Sequence, residues 1–228
     1  IVSQIRNKYI GMSVPVKAAL WFTVCNFLQR GISMITTPIF TRMLSTGEYG
    51  LYSTYLSWET VLAMIVTLSL YKAMMNLYVK YDNQEKILSA LCGLELLLSL
   101  IWLGIGIIFQ KPLADLLQLP ESLVCCLFFS FIFQAVFQCW SLYKRYVYDY
   151  RTLVLTTMIS TAGSAALGVV AVAFFSPTAE ARVISSTFVT AVVGIVLYVA
   201  VFKKGKSFFD KKVWLFSLGF CIPLMPHY

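Results

Sequence analysis

The chain has 228 residues, of which 59% are hydrophobic and only 12% charged, and its mean hydropathy is +0.79. A soluble domain carries about 25% charged residues, so the composition excludes an ordinary soluble enzyme and points to an integral membrane protein. The net charge of +8 is distributed as an orientation signal rather than as a nucleic-acid surface.

From the amino terminus, Ile1 to Lys17 is polar and basic, without the short apolar core and small-residue cleavage site of a signal peptide. Apolar runs of about 20 residues, the length that crosses a bilayer as a helix, then recur. Span one is expected from Lys17 to Met43, span two from Glu48 to Leu70 and span three from Ile87 to Phe109. Span four follows from Ser122 to Tyr143, span five from Thr152 to Phe174 and span six from Val183 to Phe202. A seventh apolar segment begins near Val213 and is still apolar at Tyr228, and the first residue is not methionine, so a piece of a longer protein is expected. The expected architecture is all-α, with six transmembrane helices and the start of a seventh. Residues 1–202 would form one lobe, 203–212 a basic linker and 213–228 the start of a second lobe. A β-barrel would require alternating strands of about 10 residues, and these segments do not alternate.

Basic residues cluster before span one (Arg6, Lys8, Lys17), between spans two and three (Lys72, Lys80, Lys86), between four and five (Lys144, Arg145, Arg151) and after span six (Lys203 to Lys212). The opposite side has only Arg42, Lys111 and Arg182. Basic residues in short loops stay inside, so the amino terminus is expected in the cytoplasm. The Lys203 to Lys212 segment could also attract anionic lipid. Six cysteines all fall in apolar segments without metal-ligand spacing.

Arg30 stands near the middle of an otherwise apolar run, where a cation costs roughly 2.5 to 3.5 kcal/mol on insertion scales. With Asn26, Ser33, Thr37 and Thr41 it falls on one helix face. Glu59 in span two lies 13 residues before Lys72, and Arg30 lies 13 after Lys17, which puts both roughly 20 Å from the basic end. Glu95 in span three is shallower and within reach of a long side chain. Arg30 either forms a structural ion pair with these carboxylates or faces a cavity in which it attracts an anion and a carboxylate responds to protons or Na⁺. Span four adds Ser130, Gln134, Gln138 and Ser141 at helical spacing, a second polar face. Ser160, Ser164 and Gly168, and likewise Ser186, Thr190 and Gly194, read as helix-packing stripes. Ser45 and Glu48 form a capping-box pattern that makes spans one and two an antiparallel hairpin. Pro38 is expected to bend span one and is a candidate hinge. No catalytic, metal or cofactor motif appears, and the single His227 has no partner at ligand spacing. The chain is therefore read as a non-enzyme without cofactor.

The stretch Asn26 to Tyr52, with TPIFTRMLS at Thr37 to Ser45 and GEYGLY at Gly47 to Tyr52, together with IPLMPHY at Ile222 to Tyr228, resembles the polysaccharide-biosynthesis flippases. These belong to the multidrug/oligosaccharidyl-lipid/polysaccharide exporter superfamily. The resemblance implies one lobe of a two-lobed transporter with a cationic central cavity in a bacterial inner membrane. It implies a polyprenyl-pyrophosphate-linked oligosaccharide as substrate, of the O-antigen or lipopolysaccharide type, moved from the inner to the outer leaflet. Arg30 matches the family's buried basic position in the first helix, facing pyrophosphate or sugar. Asn26, Ser33, Thr37, Gln134 and Gln138 are then candidate cavity residues, and Glu59 and Glu95 candidate ion-coupling or charge partners. The implied partners are the bilayer, the missing lobe, and the glycan polymerase and glycosyltransferases. Two other readings stay open: a cation-coupled drug antiporter centred on Glu59 and Glu95, and a membrane scaffold for glycan enzymes.

Overall fold

The computed structural model describes residues 11–224. The amino-terminal residues Arg6 and Lys8, and the Met225 to Tyr228 part of the IPLMPHY string with His227, lie outside the described residues. All regular structure among the described residues is helical. Helix α1 is Val14–Met43 and α2 is Thr46–Thr67. A 3-10 turn over Leu70–Ala73 leads into α3, Met74–Lys80. Then come α4 (Gln84–Ile108), α5 (Gln110–Leu117), α6 (Glu121–Tyr146), α7 (Tyr150–Phe174), α8 (Ala179–Gly205) and α9 (Lys211–Leu224).

Four of these, α4, α6, α7 and α8, are long and apolar enough to cross a membrane, and α2 with α3 makes a fifth if the pair, bent by 51°, is one span. The protein is thus a multi-pass membrane protein, but the expectation of six complete spans is not met in full. Helix α1 has the length, at 30 residues, yet falls short in apolarity because Asn26, Gln29, Arg30, Ser33, Thr36 and Thr37 interrupt its apolar surface.

Helices α4, α6 and α8 pack on one another at the centre, α7 lies along α8, and α1 lies along α7. Small residues set the close approaches. A Cβ at Gly106 would overlap the Phe128 ring, and one at Gly194 would overlap Phe133. The α1–α2 connection behaves as the sequence suggests at its corner, where Ser45 caps α2 by accepting from the Glu48 amide at 3.2 Å. The hairpin does not continue beyond it: α1 rests on α7, whereas α2 rests on α6 and α8. Glu48 does not complete the box either. Its carboxylate accepts from the Ala179 amide at the start of α8 at 2.5 Å, satisfying a donor that the helix terminus leaves open.

The segment carrying Lys72 and Lys80, expected as a loop, is helical. Leu68 and Ser69 turn the chain with φ of 50° and 49°, a left-handed conformation unfavourable for non-glycine residues. Burial compensates for it: Leu70, Ala73, Met74 and Leu77 are fully inaccessible. The expected boundary between residues 202 and 203 falls inside α8, which runs to Gly205. The connection to α9 is also held down. Asp210 pairs with Lys86 at 3.2 Å, Trp214 donates to the Ala90 carbonyl at 2.8 Å, and the Phe208 carbonyl sits against Gly93.

Candidate functional site

The splay between α1 and α2 leaves a cavity of about 540 Å³ bounded by α1, α2, α6, α7 and α8. Its walls carry Gln29, Glu59, Ser130, Gln134, Gln138, Ser160, Thr161, Ser186, Thr187 and Thr190, with Tyr52 and Phe133 among the aromatic parts. Several of these groups bond within the protein, as Ser186 and Thr190 do to their own helix, and the wall as a whole suits water or a polar ligand rather than hydrocarbon. The stripes expected to serve packing do more than that. Ser160, Ser186, Thr190 and Gly194 line the cavity, while Gly168 and Gly194 also receive bulky neighbours from other helices.

Glu59 is the one carboxylate in this wall. Gln134 Nε2 donates to its Oε1 at 2.6 Å, and Ser130 Oγ is 3.5 Å from the same atom. The i, i+4 spacing on α6 makes this possible by stacking Ser130 and Gln134, which also bond each other at 3.2 Å. Glu59, Gln134 and Gln138 are shared with a second cavity of about 330 Å³ that extends along α2 to Thr67 and Lys72. The three side chains thus form a polar partition between two cavities, each large enough for many waters.

Arg30 is exposed and stands outside that cavity, in an adjoining one of about 460 Å³ with Asn26, Gln29, Ser33 and Thr161. The two spaces meet at Gln29, whose Nε2 donates to Thr161 Oγ1 at 3.3 Å. The ion pairs among the described residues are Lys86–Asp210, Lys144–Asp149 and Lys204–Glu85, so Arg30 pairs with neither Glu59 nor Glu95. The equal depth inferred from counting residues does not bring them together, because α1 follows α7 and not α2. Of the remaining stripe, Ser33 and Thr37 turn their hydroxyls onto their own helix, donating to the Gln29 and Ser33 carbonyls at 3.1 and 2.8 Å. Pro38 lies within an α1 that continues to Met43.

Glu95 is placed quite differently. It is 1% exposed, lines none of these cavities, and neither carboxyl oxygen has a hydrogen-bond partner. Its helix α4 packs against α6, α8 and α9. It is out of reach of Arg30 because α4 is the central helix, covered on this face by three others.

One residue that the charge pattern assigns to the outer side is drawn inward. Arg182, in the first turn of α8, is 8% exposed. Its guanidinium lies 4.5 Å from the Phe40 ring centroid and 5.4 Å from that of Tyr52, and Nη1 donates to the Ser164 carbonyl at 3.2 Å. Aromatic faces stabilise a desolvated cation, and Gly168 leaves room for the side chain, since a Cβ there would be 2.7 Å from Nη1. Arg182 thereby ties α1, α2 and α7 to α8 at the end of the cavity. The Ser164, Gly168 and Arg182 combination is the available signal in the sequence, hidden when Arg182 is counted as a loop charge.

Among the described residues, no group of three or more His, Cys, Asp or Glu side chains could hold a metal ion. No curated protein and no solved structure matches the chain significantly. A family model described as polysaccharide biosynthesis protein matches residues 16–228, which takes in every helix that builds the cavity. The chain belongs to the polysaccharide biosynthesis protein family.

Proposed function

We propose that the protein is a transporter that moves a polyprenyl-pyrophosphate-linked oligosaccharide from the inner to the outer leaflet for cell-surface polysaccharide synthesis. It would act in a bacterial inner membrane with its amino terminus in the cytoplasm, as the distribution of basic residues favours. The observation that carries the reading is the pair of adjoining polar cavities. The larger, with its amides and hydroxyls, suits sugar hydroxyls, which both donate and accept. The smaller holds Arg30 beside Asn26 and Ser33, and a guanidinium fork suits a pyrophosphate. Glu59 is the carboxylate open to the cavity and Glu95 is sealed, so ion coupling is assigned to Glu59. In the complete transporter, a second bundle rocking against this one would alternate the access of both cavities.

Flipping of a fluorescent polyprenyl-pyrophosphate oligosaccharide by the full-length protein in liposomes tests the reading. R30A is expected to lower the rate by about tenfold or more, as loss of a charge-assisted hydrogen bond would, and R30K to retain an intermediate rate. Full activity in both variants at normal protein levels would overturn it. Cation-coupled drug antiport is favoured by one observation, that Glu59 lines both the 540 Å³ and the 330 Å³ cavities. On that reading E59Q abolishes drug resistance while R30A spares it.

A further inference from the structure

A separate cavity of about 290 Å³ opens at the basic end of the bundle, between the amino-terminal ends of α4 and α7 and the carboxy-terminal ends of α6 and α8. It shares no residue with the polar cavities described above. Its wall is apolar where Leu88, Trp140, Leu197 and Val201 meet, and Lys144 and Lys204 line it together with Glu85. Asp149, outside the lining, pairs with Lys144, and with exposed Arg151 counted the three cations at this end outnumber the two carboxylates.

Neither lysine is fully engaged. Lys144 Nζ bonds Asp149 at 2.5 Å and lies 5.7 Å from the Trp140 ring centroid, which uses one of the three donors of an ammonium. Lys204 Nζ is 3.9 Å from Glu85, outside hydrogen-bond range, on a side chain 66% exposed. A pair so loose and so exposed contributes little, and the ammonium is free to turn to another acceptor. A small aqueous anion would gain nothing from the apolar wall, and an apolar molecule nothing from the lysines. A phosphate joined to an acyl chain uses both. Basic recesses between transmembrane helices on the cytoplasmic side are suited to acidic headgroups.

We propose that this cavity binds an acidic phospholipid of the surrounding leaflet, with its phosphate between Lys144 and Lys204 and the start of an acyl chain against the Leu197 and Val201 wall of α8. The proposal does not depend on the transported substrate.

The test uses the full-length protein in phosphatidylcholine nanodiscs, titrated with fluorescent phosphatidylglycerol or fluorescent phosphatidylcholine. Phosphatidylglycerol is expected to bind several-fold more tightly. K204Q is expected to weaken it about fivefold, the effect of one lysine near an anionic lipid, and K144Q/K204Q to weaken it further. A200W fills the apolar slot with every charge retained, and it too is expected to prevent binding. K203Q/K206Q removes equal charge outside the cavity and is expected to leave binding unchanged. Equal binding of the two lipids, or an equal loss in K203Q/K206Q and K144Q/K204Q, would overturn the proposal. So would full competition by inorganic phosphate, which would assign the lysines to a free anion.

Discussion

Glu59 and Glu95 are both acids within apolar helices, and the bundle surrounds them in opposite ways. Glu59 stands in a wall of amides and hydroxyls, bonded by Gln134 and open to two cavities. Glu95 stands in the packed centre, 1% exposed and with neither oxygen bonded. The contrast extends to whole regions. Around Glu95, the helices α4, α6, α8 and α9 approach closely enough that Gly93 takes the Phe208 carbonyl on its Cα. Helices α1 and α2, by contrast, diverge, and a Cβ added at Gly31 of the one or Gly50 of the other would meet nothing within 4 Å. One half of the lobe is built to pack and the other to leave space, and a polar residue is only as functional as the space beside it.

The largest expected break of this contrast comes from glycine. G93V would drive two methyl groups into backbone on α9's approach, with no side chain able to yield, and is expected to cost about 3 kcal/mol or to prevent folding. G31A, in the open half, is expected to gain up to about 1 kcal/mol through helix propensity. Thermal unfolding in detergent measures both, and equal effects would remove the distinction between the halves. The two acids give the next largest difference. E59L removes the closer of the two acceptors of Gln134 Nε2 and is expected to cost about 1–3 kcal/mol, whereas E95M removes a buried group without hydrogen-bond partners and is expected to be neutral or stabilising by a similar amount. A destabilised E95M with an unaffected E59L would reverse the assignment.

The smallest effect concerns the loop between α6 and α7. Burial pushes the Asp149 carboxyl up, but the bonds from Lys144 and Thr152 outweigh it and hold the group below its ordinary range. A lowered carboxyl stabilises above its unfolded value, about 3.9, and that contribution is lost as pH falls through the lower folded value. D149N is therefore expected to lower the melting temperature slightly at neutral pH and to match the parent in strong acid. A difference that persists in strong acid would contradict this.

Much of the helix inventory is legible in the sequence. The ends of α1, α4 and α7 fall within a few residues of expectation, because apolar length and capping residues are local properties. Gln134 and Gln138 are also legible, since two amides at i, i+4 spacing on an apolar helix mark one polar face. What a neighbour decides is not legible. Arg30 and Glu59 share a depth but not a partner, because helix adjacency in sequence does not make α1 and α2 adjacent in space. Arg182 looks like a loop charge until Phe40, Tyr52 and Gly168 are seen to make a place for it. The short amphipathic α5 and the broken α2 to α3 passage escape for a similar reason. Leu68 and Ser69 carry no turn signature, and the burial of Leu70 and Met74 makes their backbone tolerable.

The central claim is that the space beside Glu59, Gln134 and Gln138 takes the transported molecule. It is tested most directly by cysteine labelling of the full-length protein in membranes, in a background with the native cysteines replaced. A cysteine at Gln138, in the cavity wall, is expected to react with a charged water-soluble thiol reagent and to be protected by lipid-linked oligosaccharide, while one at Val136, fully buried on the opposite face of α6, is expected to stay unreactive. Equal reactivity at the two positions, or labelling at Gln138 that substrate leaves unchanged, would contradict it.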